Sequence, residues 1–370
     1  MRRCEQQAGG PFRAKILMLP GGFTSPYARF RMWELVGALQ ARGYSVTARA
    51  TYPDRVGKNR AGEATWLARI SPKLAAGVRA ASALAMLRDV RKFDLVFANR
   101  DIVPEVSVRA PERRIFDSRV PLVFDFDDAI HLGRRERKIA WILSRAAWST
   151  PGNEFLAGFA RRHCSHVTVV PAVVNTDVYR PAAERTPGPL RIGWSGSAST
   201  NRRCLPLLRE PIRELARVVD MEFIIISNED PGLKWPGVRI RYIRWVAERE
   251  VEDLRLIDIG TMPLEDREFE RGKCGLKAIQ YMALGIPAVV SPVGVNSHIV
   301  EHGRNGFLAA SHEDWVRHLR TLAEDQALRS RFGREARATV ERRFSHEVAA
   351  DTLAACFDTI LAGAGARAAG

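Results

Sequence analysis

Three segments of the chain gather residues suited to holding an anion. In "RGKCGLKAIQYMALG", beginning at Arg271, Lys273 and Lys277 flank Gly275 at the start of a helical apolar stripe of Leu276, Ile279, Met282 and Ala283. Gly285 and Pro287 end that helix. A helix start carries unpaired backbone N–H groups and a partial positive charge, glycine lets a ligand approach the backbone, and two lysines add full charges. The stretch therefore reads as a diphosphate cradle. "SPVGVN" leaves an apolar strand, and the amides of Gly294, Val295 and Asn296 form a second anion-binding turn on the same sheet edge. "IGWSGSASTNRR" leaves another strand through Gly193, Ser195, Gly196 and Ser197 and then offers Arg202 and Arg203. Each segment alone is weak, because strand-to-helix crossovers use glycine and lysines solvate helix ends. Turns of one sheet that all present small residues and cations point to one phosphate-bearing ligand.

Acids concentrate in "LVFDFDDAIH", where Asp125, Asp127, Asp128 and His131 end a buried strand. Carboxylates there either cap and form turns or face a substrate hydroxyl. His163, His166, His302, His312, His318 and His346 share no ligand spacing with Asp or Cys, and the five cysteines lack a CxxC spacing. Neither a metal site nor a disulfide framework is expected, and a reducing, cytoplasmic compartment is.

These residues need a frame. "AKILMLP" is an apolar run that ends in Gly21 and Gly22, and a helical stretch with Met32, Leu35, Val36 and Leu39 follows. Gly43 closes that helix and "YSVTARA" returns as a strand, a βαβ opening. "FDLVFANR", "VPLVFDFDDA" and "HVTVVPAVV" supply further strands. Residues 179–190, rich in proline, glycine and charge, read as a linker. A second unit then runs "LRIGWSG" (strand), 205–219 (helix), "EFIIIS", "VRIRYI" and "DIGTMPL" (strands), 275–284 (helix), "PAVVS" (strand) and helices to the end. The fold class is α/β: two Rossmann-like domains, 1–184 and 185–370, with parallel sheets facing an interdomain cleft. The last helix has the option of packing back on the first domain, and the tail "LAGAGARAAG" is expected to fray.

At 370 residues, 46% hydrophobic and 27% charged, the chain has room for two cores and the composition of a soluble globular protein. The apolar run near the N-terminus is too short for a signal peptide, and no window approaches the roughly 18 apolar residues of a membrane span. Net charge is +15, and residues 1–190 carry 31 Lys and Arg against 17 Asp and Glu, leaving the second half near balance. A one-sided basic half suits an anionic partner: a membrane surface, an acidic acceptor or nucleic acid. "SPKLAAGVRAASALAMLRDVRKF" reads as a helix capped by Ser71 and started by Pro72, with Leu74, Val78, Leu84, Leu87 and Val90 near one face. Lys73, Arg79, Arg88, Arg91 and Lys92 would rest on lipid headgroups, or the helix simply covers the sheet.

In order along the chain, "IGWSGSAST", "DIGTMPL", "RGKCGLKAIQYMALGIPAVVSPVGVN" and "HGRNGFLA" resemble the donor domain of GT-B fold, family 4-like retaining glycosyltransferases (glycosyl transferases group 1). "SPYARFRMWELVGALQARGYSV", "LVFDFDDAI" and "TPGNEFLAGFARRHCSHVTVVPAVVNTDVYRP" are similar to the acceptor domain of that group. The resemblance implies retaining transfer of a hexosyl group from a UDP- or GDP-sugar donor to a saccharide or lipid-linked acceptor, with no required metal or other cofactor. It also implies cell-envelope or exopolysaccharide synthesis at the inner face of the cytoplasmic membrane, by a peripheral protein. Lys273 and Arg202 would neutralise the leaving diphosphate, and Gly22, Ser195, Gly196, Ser197, Lys277, Gly294, Val295 and Asn296 would line the donor site. Gln280 stands where the family has the second glutamate of an E-x7-E pair that grips the ribose, and would line the donor site by contacting the ribose with its amide. Gly272 occupies the first place, with Glu268 and Glu270 nearby, and His298 replaces the usual glutamate after the glycine turn. Asp127 or Asp128 would face the acceptor hydroxyl, while Asp125-Phe126-Asp127 only superficially resembles the metal-binding DxD of GT-A transferases. The altered ribose pattern keeps a nucleotide-sugar epimerase of GT-B fold as an alternative. A non-enzymatic nucleic-acid-binding protein is favoured by charge alone and lacks a recognition module, so no nucleic-acid partner is expected.

Overall fold

The structure is a computed structural model that describes residues 12–21, 26–51, 71–104, 108–183 and 188–369. The chain divides into two compact units, Met1–Ala172 with His346–Gly370, and Val173–Ser345.

The first unit is built on a five-stranded, all-parallel sheet in the order β2-β1-β3-β4-β5. Its strands are β1 (Ala14–Leu19), β2 (Tyr44–Ala48), β3 (Leu95–Asn99), β4 (Leu122–Phe126) and β5 (Trp148–Pro151). β3 and β4 are buried along their whole length, as continuous apolar runs in a doubly covered parallel sheet should be. The order reverses between β1 and β3, which makes their carboxyl ends the place where a ligand crevice forms. "HVTVVPAVV" is not a strand of its own. It runs beside β5 with one isolated bridge, Ser149 with Val167, and backbone hydrogen bonds from Ser149 to His166, Thr168 to Ser149 and Val170 to Pro151. The fifth strand is instead Trp148–Pro151, a run too short and polar to read as a buried strand.

The helix His346–Ala369 belongs to this first unit. Phe357 is fully buried and meets Tyr44 and Phe97 edge-on, with ring centroids 5.8 and 5.5 Å away. The Tyr44 hydroxyl donates to Asp358 at 2.6 Å, and Arg42 pairs with Glu347 and Asp351 at 2.8 and 2.7 Å. The glycine- and alanine-rich tail, expected to fray, is helical to Ala369.

The second unit holds six parallel strands in the order β11-β10-β9-β6-β7-β8. They are β6 (Leu190–Gly196), β7 (Met221–Ser227), β8 (Arg239–Arg244), β9 (Ile259–Met262), β10 (Ala288–Val290) and β11 (Gly306–Leu308). Counted from β8 inward this is the 3-2-1-4-5-6 order of a dinucleotide-type sheet, with its switch point between β6 and β9. β8 carries Arg239, Arg241 and Arg244 on a sheet edge, charges that discourage pairing with another chain. The helix after β6 starts at Ala198, earlier than the apolar pattern from 205 suggests, and tolerates Pro206 and Pro211.

The boundary lies upstream of the proline-rich linker. Val174 pairs with Ser345, and Val173, Val174 and the Tyr179 ring are buried in the second unit, so the chain joins that unit before the linker. Arg337 fixes this segment by donating to the carbonyls of Tyr179, Ala283 (2.7 Å) and Thr176 (2.9 Å).

Candidate functional site

The second unit gathers its small and cationic residues at the carboxyl ends of β6, β9 and β10. β9 can pack here because Gly260 lies under Tyr281: a Cβ at that glycine would sit 2.4 Å from the ring. The buried Tyr281 hydroxyl in turn accepts from the Ser195 amide at 2.8 Å, and burial pushes its ionisation well above the usual tyrosine range. Ser195 is thus a buried structural link, while Ser197 is exposed at the end of the same strand. The Ser197 amide donates to Thr200 Oγ1 and the Ala198 amide to Asn228 Oδ1, both at 2.9 Å, so this helix start is partly capped by the protein itself.

Beyond β9 the chain runs through the short helix Glu268–Arg271 to Gly275, whose φ of +68° opens the helix Leu276–Ala283. The turn after β10 packs directly on this segment. A Cβ at Gly275 would lie 2.2 Å from Ile299 Cδ1, and one at Gly294 would lie 2.8 Å from the Arg271 carbonyl oxygen. Gly294 also has a φ of +57°, so glycine is required there both by conformation and by contact. Gly294 is exposed and Val295 half-buried, whereas Asn296 is buried, donates to the Ser291 carbonyl at 3.1 Å and keeps a buried Oδ1 that accepts nothing from the described residues. The cradle and the second turn are therefore one packed feature.

The cations divide unevenly. Lys273 lies over the Phe269 ring at 5.0 Å, with Arg203 over the same ring at 5.6 Å. Arg203 pairs with the buried Glu270 at 2.9 Å. Arg202, one residue earlier on the helix, is instead on a groove of about 480 Å³ that Leu205, Arg209, Glu229 and Trp235 also line. The structure therefore brings Arg203, not Arg202, to the Lys273 segment; 100° of helical turn separates the two. Cys204, beneath them, is pushed up to about 11 by burial, which outweighs the pull of Lys273 and Arg203. Lys277 donates to Gln280 Oε1 at 3.3 Å, and Gln280, fully buried, donates to the Tyr179 hydroxyl at 2.9 Å. His298 is exposed.

In the first unit the crevice end of the sheet carries a separate polar group. Asp125 is 1% exposed and accepts from Arg31 Nε (3.0 Å), Asn99 (2.6 Å) and Thr150 (2.8 Å). Asp127 and Asp128 are held together by Arg100, at 2.7 and 3.0 Å from its Nη2. Arg100 adopts a left-handed φ of +62° at the end of β3 and lies 4.0 Å over the Tyr27 ring. Such strain in a non-glycine residue persists where surrounding contacts enforce it. Nearby, the buried Lys138 meets Asp101 at 3.3 Å and Glu112 at 3.5 Å, and burial raises Glu112 despite that cation. Sequence reading missed Arg31, Arg100 and Lys138, because their partners lie 94, 27 and 37 or fewer residues away and no motif joins them. Gly22 lies outside the described residues. Among the described residues no group of three or more His, Cys, Asp or Glu could hold a metal ion.

Residues 189–325 match the family model described as "Glycosyl transferases group 1". The chain is 29% identical over 204 residues to the D-inositol 3-phosphate glycosyltransferase of Streptomyces avermitilis, covering 46% of this chain and 42% of that protein. It thus spans less than half the length of that relative. Among solved structures it is similar to sucrose-phosphate synthase from Thermosynechococcus elongatus, with a TM-score of 0.70, 15% identity, and coverage of 95% of this chain and 100% of the other. It is also similar to Anabaena HepE in complex with UDP and glucose, with a TM-score of 0.67, 14% identity, and coverage of 94% and 100%. At such identities the likeness is one of fold, and the fold is GT-B: two α/β units with parallel sheets.

Proposed function

We propose that the chain is a family 4-like glycosyltransferase that moves a hexosyl group from a nucleoside diphosphate sugar to a saccharide or lipid-linked acceptor with retained configuration. The observation that carries this reading is the packing of the Lys273 segment against the Gly294 turn at the carboxyl ends of β9 and β10, beside the β6/β9 switch point, which puts a glycine-opened helix start, an exposed turn and two lysines in one place. The match of residues 189–325 to a glycosyltransferase family model supports it, as does the UDP bound in the HepE structure.

In this reading the second unit binds the donor, a UDP- or GDP-sugar, and the first binds the acceptor. As the bond to the anomeric carbon breaks, charge builds on the leaving diphosphate. Lys273, Lys277 and the helix dipole stabilise it, with Arg203 taking the place expected of Arg202. Asp127 and Asp128, fixed by Arg100, orient the acceptor hydroxyl. A home for such an activity on the inner face of a membrane, in envelope or exopolysaccharide synthesis, is supported by the basic first unit and by exposed Leu74 and Val78 beside Lys73.

The test is a thermal-stability panel with UDP, GDP, ADP and their sugars. A ligand at about 100 times its dissociation constant adds about 2.7 kcal/mol. One nucleotide class should stabilise the protein, and Lys273→Ala should weaken that nucleotide by roughly 1.5–3 kcal/mol, the worth of a charge-assisted contact. Binding to none of the panel, or a Lys273→Ala variant that binds and transfers normally, overturns the assignment. Interconversion of the sugar without any acceptor would instead identify an epimerase.

A further inference from the structure

A buried chain of hydrogen bonds leads away from the candidate donor site. Lys277 Nζ donates to Gln280 Oε1 (3.3 Å), Gln280 Nε2 to the Tyr179 hydroxyl (2.9 Å), and that hydroxyl to Glu250 Oε2 (2.6 Å). The other carboxylate oxygen of Glu250 accepts from Trp245 Nε1 at 3.0 Å. Tyr179, Gln280 and Glu250 are 0, 0 and 3% exposed. An ammonium can only donate and a carboxylate can only accept, so the two ends fix every proton between them. Gln280 must turn its oxygen to Lys277, and Tyr179 must give its single proton to Glu250.

We propose that Glu250 is a positioning residue for the donor site. Acting through Tyr179 and Gln280, it sets which end of the Gln280 amide faces Lys277 and so holds the lysine ammonium at the mouth of the helix Leu276–Ala283. Gln280 then serves the nucleotide without touching it, which agrees with its complete burial. The role of Lys277 toward the diphosphate rests on the function proposed above; the control of Lys277 by Glu250 does not.

The chain predicts its own reversal. Glu250→Gln offers one acceptor oxygen to two donors, Tyr179 and Trp245, and turns an N–H2 on one of them. Gln280→Glu surrounds one tyrosine proton with two carboxylates. Together the two changes restore the count: the carboxylate at position 280 accepts from Tyr179, and the amide at position 250 donates to the tyrosine oxygen while accepting from Trp245.

The experiment compares the wild type, both single variants, the double variant and Tyr179→Phe, which cuts the chain in its middle. The lysine ammonium is followed by NMR in protein carrying labelled lysine side chains, its signal assigned with Lys277→Arg. Glu250→Gln and Tyr179→Phe should shift the Lys277 signal, Gln280→Glu, which sets a carboxylate beside the ammonium, should shift it too, and adding Glu250→Gln to Gln280→Glu should change the signal far less than Glu250→Gln does in the wild-type background. A signal unmoved by the single variants, or a double variant that sums their effects, overturns the proposal. In parallel, the KM for the nucleotide sugar should rise about tenfold in each single variant, with kcat changed far less and the double variant impaired by less than the product of the two single effects, as one charge-assisted contact implies. A Lys277 signal that responds while KM does not would uphold the chain and remove Lys277 from the donor site, which separates this inference from the proposed function.

Discussion

Asp125 and Asp127 stand two positions apart at one strand end, yet burial gives them different work. Asp125 is enclosed by Arg31, Asn99 and Thr150, whereas Asp127 keeps 17% of its side chain exposed and shares Arg100 with Asp128. The sequence motif shows two acids in a short run; it does not show that one is consumed by an arginine 94 residues earlier. Asp125→Asn leaves the Arg31 guanidinium buried without its counter-charge. The expected loss is about 3–5 kcal/mol, the usual result of breaking a buried pair from one side, read from urea unfolding. Asp127→Asn sits at a partly exposed pair and should cost about 1 kcal/mol or less. If the two variants unfold at the same urea concentration, the division of labour between these acids is wrong.

At the scale of elements, what could be read was set by burial. β1, β3, β4 and β7 are covered on both faces, so their apolar runs were visible in the sequence, as was the helix Leu276–Ala283 with its stripe and its glycine start. β5 is four residues long and half polar, and the helix from Ala198 opens with Ser, Thr, Asn and Arg before its apolar face begins, so β5 and the start of that helix escaped while the helix from 205 onward did not. Of the candidate site, the cradle segments were legible because glycine and lysine spacing is local, while Gln280 could not be seen to face Tyr179, 101 residues away. Gly294 offers a test of the packed cradle. Gly294→Ala adds a Cβ 2.8 Å from a carbonyl oxygen at a φ of +57°, whereas Gly232→Ala meets a φ of +63° with nothing within 4 Å. Both carry the left-handed strain, about 1–2 kcal/mol, so the extra loss in Gly294→Ala measures the contact. Thermal melts of the two variants should differ, and only Gly294→Ala should weaken nucleotide binding. Equal melts, or equal nucleotide affinity, would mean the turn and the Lys273 segment are not one feature.

Over the whole molecule the outstanding feature is the placement of charge, 31 Lys and Arg against 17 Asp and Glu in residues 1–190 within a net charge of +15. The helix Pro72–Met86 adds a second property. Its packed face is made of small residues, Ala75, Ala76 and Ala83, while Leu74, Val78 and Leu84 are 56, 37 and 36% exposed, the reverse of a helix that merely covers a sheet. Leu87 and Val90, expected on the same face, are buried past its end. Lys73, Arg88, Arg91 and Lys92 are exposed around it. No helix among the described residues is long and apolar enough to cross a membrane. Reversible docking on an anionic bilayer is the expected behaviour. Each cation near such a surface contributes about 1 kcal/mol, so these four suffice for weak attachment, and the exposed leucines add apolar contact that salt does not screen. In a flotation assay the protein should rise with anionic vesicles at low salt and hardly at all with neutral ones. At about 1 M salt, where the Debye length is about 3 Å, most of it should be released. A Leu74→Ser, Val78→Ser variant should lower the fraction that stays bound, and Lys73→Gln with Arg88→Gln should lower the fraction bound at low salt. Equal flotation with neutral vesicles would assign the attachment to the apolar face alone, and flotation with neither would leave the basic excess of the first unit to a soluble acidic acceptor.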